Sequence, residues 1–78
     1  MPYRIDSRVQ NTHLGQHGYS GATAAVADAV IQEWHDNDSA FTSVERLYSM
    51  LRNKGFSRGR IQTAADTLVL DGWLQVSQ

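Results

Sequence analysis

Arg58, Gln62 and Thr63 carry the side chains best suited to recognition chemistry in this 78-residue chain. The four-residue step from Arg58 to Gln62 puts both on one side of a helix. An arginine fork matches a guanine edge, a glutamine amide matches an adenine edge, and a threonine offers its methyl to thymine or its hydroxyl to a phosphate. Gly59 lets backbone come close beside them, while Asp66 on the same face would repel phosphate. The amides around Ser57 and Arg58, at a helix start, can hold one phosphate. Arg46, Arg52, Lys54 and Arg60 supply charges of the kind that position a nucleic-acid backbone.

Charge is distributed in keeping with that chemistry. Between Ala40 and Gln62 five basic residues (Arg46, Arg52, Lys54, Arg58, Arg60) face one acid, Glu45, a local excess of four on a chain of net charge −1. Asp28, Glu33, Asp36 and Asp38 precede that stretch, and Asp66 and Asp71 follow it. Because screening confines electrostatics to about 8 Å at physiological salt, a local positive face can steer a polyanion despite the overall charge.

Other chemistries find less material. His13 and His17 have a spacing that on a helix would place two imidazoles on one metal. They lie in a glycine-flanked stretch with no carboxylate or thiolate beside them, so no metal or other cofactor is expected. Ser20, Ser43 and Ser57 sit at helix starts, where hydroxyls cap, and no glycine elbow surrounds any of them. Trp34 and Trp73 align with apolar stripes and read as core. There is no phosphate-binding glycine loop and no pair of carboxylates placed for acid–base work. An enzyme is not expected.

The elements that position these residues follow from patterning. Residues 1–78 form one domain. The cysteine count is zero, which removes disulfides and thiolate metal sites and suits a reducing compartment. The opening Met-Pro-Tyr-Arg-Ile-Asp lacks the apolar stretch of a signal peptide, and no run approaches the roughly 18 apolar residues of a membrane span, so a cytoplasmic protein is expected.

The expected fold is mainly α with a small β component. Residues 1–19 form an N-terminal strand and loop arm, with Tyr3, Ile5, Ser7 and Val9 alternating onto one side over 1–10 and a loop over 11–20. The first helix spans 21–36. Ser20 caps it, Val26, Ala27, Val30, Ile31 and Trp34 form its apolar stripe, and Asp36 and Asp38 oppose the dipole and stop it about Asn37. The second spans 43–54. A capping box of Thr42 and Glu45 starts it, Val44, Leu47, Tyr48 and Leu51 face the core, and Gly55 ends it. The third spans 58–71, capped by Ser57 and stapled by Phe56 and Ile61, with Ile61, Ala64, Ala65 and Leu68 buried and Gly72 as its stop. Residues 73–77 form a short final strand.

Two capped helices joined only by Asn-Lys-Gly-Phe-Ser make a helix-turn-helix. The passage Thr42–Leu47–Leu51–Gly55-Phe56-Ser57–Ile61–Leu68–Asp71-Gly72-Trp73-Leu74-Gln75-Val76 resembles winged-helix transcriptional regulators. The resemblance implies a three-helix core whose third helix reads double-stranded DNA, and a homodimer that gathers enough contacts by using two half-sites. It departs from the pattern after one strand, where a wing needs two. Tyr3–Val9 is the intramolecular candidate to pair with that strand, a second subunit is the other, and Phe41 can add a third short strand. The alternative function is a protein-interaction module, an adaptor or small inhibitor, in which the same scaffold contacts a protein partner.

Overall fold

A computed structural model describes residues 2–11, 18–36 and 38–76. Its elements are β1 (Pro2–Ile5), α1 (Arg8–Asn11), α2 (Gly21–Asp36), β2 (Phe41–Ser43), α3 (Val44–Met50), a 3-10 turn (Arg52–Lys54), α4 (Arg58–Leu70) and β3 (Leu74–Val76). The fold is mainly helical with one small antiparallel sheet, as the patterning predicts. His13 and His17, most of the loop expected over 11–20, the helix stop at Asn37 and position 77 of the final strand lie outside the described residues.

The amino-terminal strand occupies the middle of the sheet, in the order β2-β1-β3. Tyr3 pairs with Thr42 on one side and Val76 on the other, and Arg4 pairs with Phe41 and Gln75. Both the arm and the Phe41 segment thus join the last strand in one sheet. Alternation then divides the faces: Tyr3, Ile5, Thr42 and Leu74 are buried, while Arg4, Phe41 and Gln75 are exposed.

The alternation stops earlier than expected. Beyond Ile5, the Asp6 side chain accepts from the Arg8 backbone N–H at 2.9 Å, and the Asp6 carbonyl accepts from Val9 N at 3.0 Å. That cap converts the second half of the expected strand into α1. Val9 is still buried, but Ser7 is exposed. The Arg8 amide, and the Arg8 guanidinium that also donates to Asp6 Oδ1 at 2.9 Å, hold the Asp6 carboxyl below the usual aspartate range, with Arg4 adding a smaller charge effect. Arg8 also ties the arm to the end of α4, donating to the Gly72 carbonyl at 2.6 Å and stacking over the Trp73 ring at 5.3 Å.

Three helices pack on the inner face. α2 buries Ala22, Val26, Ala27, Ala29 and Val30, and α4 buries Ile61, Ala64, Ala65 and Leu68. Ile31 and Trp34 are only half-buried against this core. Each fully buried Leu or Ile contributes about 1.5–3 kcal/mol, so such a set accounts for the main driving force.

The start of α3 corrects the expected capping box. The cap is Ser43, whose Oγ accepts from Arg46 N at 3.1 Å. Thr42 belongs to β2, where its pairing with Tyr3 turns the side chain inward, and its Oγ1 is buried without a hydrogen-bond partner among the described residues. A buried hydroxyl that makes no bond costs free energy. Thr42→Val keeps the β-branched shape and removes the orphan, so a gain of about 1 kcal/mol is expected, read as a rise in Tm of roughly 4–8 °C. A lower Tm would mean that the hydroxyl is bonded in solution.

The second helix also departs from one continuous span over 43–54. It is α-helical to Met50 and then tightens into the 3-10 turn, which Gly55 ends at φ +78°. A glycine is suited to that left-handed position. Ser57 caps α4 as expected, its Oγ accepting from Arg60 N at 3.2 Å. α4 runs to Leu70 with Asp71 as its C-cap, within a residue of the expected end.

Candidate functional site

Only Gly55, Phe56 and Ser57 separate the 3-10 turn from α4, so the turn's cations lie close in sequence to the helix carrying Arg58, Gln62 and Thr63. The buried stripe of Ile61, Ala64, Ala65 and Leu68 fixes which side of α4 faces the core. The other side leaves Arg58, Gly59, Arg60, Gln62, Thr63, Asp66 and Leu70 exposed. Gly59 has open space where a Cβ would stand.

Two of the expected reading residues are held by neighbours. Arg58 is paired with Glu45 in the first turn of α3, across the tight turn. Glu45's own backbone amide, with Arg58 beside it, holds that carboxyl below the usual glutamate range. Gln62 donates through Nε2 to the Tyr3 hydroxyl and to Asp66 Oδ1, each at 3.0 Å. Thr63 donates to the Gly59 carbonyl at 3.1 Å, which leaves its methyl and a hydroxyl lone pair for an external group.

The cations fall into two sets. Arg52 and Lys54 are exposed on the 3-10 turn, and among the described residues neither is in an ion pair. Arg60 likewise has no carboxylate partner, and its guanidinium lies over the Phe56 ring at 5.1 Å. Arg46 belongs to the fold instead. It donates twice to Glu33 Oε1, at 3.1 and 2.9 Å, and the Glu33 side chain is 4% exposed against 51% for Arg46. That bond raises the guanidinium further above its already high pKa.

A cleft of about 550 Å³ lies where the amino ends of α2 and α4 meet, lined in part by Ser20, Gly21, Thr23, Ser57 and Arg60. Neither helix has an acid in its first turn. Backbone N–H groups, hydroxyls and one guanidinium therefore gather there without a carboxylate, an arrangement that favours an oxyanion. Ser57 is used as a cap, so its hydroxyl is less available than its neighbouring amides.

Sequence reasoning missed three participants. Tyr3 stands behind Gln62 because β1 is the central strand, a register no local pattern reveals. Leu70, 86% exposed at the far end of α4, adds an apolar group to the outer side. Glu33 falls on the buried stripe of α2 three residues after Val30, and an acid there calls for a cation.

No protein family, curated protein or solved structure matches this chain. Among the described residues no helix is long and apolar enough to cross a membrane, and no group of three or more His, Asp or Glu side chains is placed to hold a metal ion.

Proposed function

We propose that this protein binds double-stranded DNA, with α4 in the major groove and the adjoining turn on the backbone. One observation carries the reading: an exposed Arg58–Gln62–Thr63 surface on α4 is adjoined along the chain by three cations, Arg52, Lys54 and Arg60, that have no carboxylate partner among the described residues. Cations left unpaired beside hydrogen-bonding side chains suit phosphates flanking base edges. The oxyanion-favouring cleft at the start of α4 adds a further place for a phosphate. The winged-helix resemblance of Thr42–Val76 points the same way. One helix of this length reaches few bases, so useful affinity calls for a dimer on half-sites about one helical turn apart.

Fluorescence anisotropy with a labelled random duplex across a salt series tests this. Binding is expected at about 50 mM salt, with log Kd rising linearly in log salt. Arg52→Ala and Lys54→Ala should each weaken binding for all duplexes and flatten that slope by about one. No binding at low salt ends the proposal.

A specific observation favours a second reading, contact with a protein. Arg58 and Gln62 are already engaged within the chain, and Leu70, at the other end of α4, is almost fully exposed. A partner that is retained after nuclease treatment and lost on Leu70→Ser would support it.

A further inference from the structure

We infer that Tyr3 is a positioning residue that leaves Gln62 able only to accept, so that the base beneath Gln62 must carry an exocyclic amine. The inference rests on the DNA-binding reading and specifies what that site selects. Nε2 of Gln62 lies 3.0 Å from both the Tyr3 hydroxyl oxygen and Asp66 Oδ1. An ionised carboxylate can only accept, so Asp66 fixes which end of the amide is NH2. The two N–H bonds are then directed to Asp66 and Tyr3, and Oε1 is the end left to face outward.

The usual glutamine–adenine pair needs a donor for N7 and an acceptor for the N6 amine. Here the donor is already engaged. Oε1 can accept from adenine N6 or cytosine N4, whereas guanine and thymine present only acceptors in the major groove. Asp66 reinforces this, because a carboxylate also accepts from an amine and repels base acceptors. Tyr3 supplies the rigidity. It is 3% exposed in the central strand, flanked by Thr42 and Val76, so its hydroxyl cannot follow a moving side chain. Asp66, an exposed neighbour four residues along the same helix, could not fix the amide alone.

Duplexes selected from a random pool by the wild type, Tyr3→Phe and Asp66→Ala test the inference. For the wild type, one position should enrich adenine and cytosine together over guanine and thymine by about tenfold. Tyr3→Phe keeps the ring but frees one N–H for adenine N7, so adenine should then exceed cytosine about five- to tenfold. Asp66→Ala releases the other N–H and also the constraint on which way the amide faces, so bases that present an acceptor should gain at the expense of cytosine, which covers a failure of Tyr3→Phe to fold. The inference is overturned if the wild type selects guanine, thymine or adenine alone, or if folded variants keep its preference. NMR on the free protein reads the same bonds without DNA: both Gln62 side-chain amide protons should show hydrogen-bonded temperature coefficients, and Tyr3→Phe should release one. Unbonded amide protons in the wild type would sink this inference while leaving DNA binding intact. Failure of every protein to enrich a duplex would sink the DNA-binding reading and the base preference with it.

Discussion

Ile5→Ala is expected to lower the unfolding free energy by about 3 kcal/mol, within the range for emptying a buried aliphatic site. Ile5 is 2% exposed and pairs with Leu74 in the strand that the other two strands flank. Removing its side chain opens a cavity at the junction of sheet and helices, where neighbouring backbone is tied on both sides and cannot collapse inward. A domain of this size has about 5–10 kcal/mol to lose, so the effect is large. Urea denaturation should show a midpoint lower by roughly 2–3 M, with an unchanged slope and sheet and helix signals moving together. A loss below about 1 kcal/mol would mean that the arm only leans on the core.

Arg46→Met should cost about 2 kcal/mol, because it leaves the Glu33 carboxylate, nearly fully buried, without its cation. The value lies below that for a fully buried pair because half of the Arg46 side chain is exposed to solvent. Glu33→Leu combined with Arg46→Met should recover most of the loss, since a well-packed apolar pair often replaces a buried ion pair at little net cost. A double-mutant cycle measures this directly. Additive single effects would refute the coupling, and weaker DNA binding by Arg46→Met at matched stability would return Arg46 to the backbone contacts.

These two residues also mark how far the sequence is legible. The Ile5 alternation, the stripes of α2 and α4, the Ser57 cap and the Gly55 stop are local signals, and local geometry obeys them. Thr42 and Ser43 are both capping residues, and the choice between them depends on the register of β2 against β1, a long-range fact. Arg46 reads as a surface charge until α2 and α3 are brought together and Glu33 meets it. The candidate site divides in the same way. Arg58, Gln62 and Thr63 are exposed on α4 as their helical spacing predicts, but Glu45, Tyr3 and Asp66 decide which donors and acceptors remain free. Spacing along one helix reveals its faces; it says nothing of neighbours contributed by another element.

The central position of β1 also bears on the order of events in folding. Its pairing joins Tyr3 to Val76, so a strand made early in synthesis completes its ladder only when one made late arrives. Until then Tyr3 and Ile5 lack one sheet partner, and α2 to α4 can form local turns but not the finished core. Contacts of such long sequence separation slow the search for the native state. The domain should therefore close late and in one concerted step, and the bond from Gln62 to the Tyr3 hydroxyl can form only once β1 is in place.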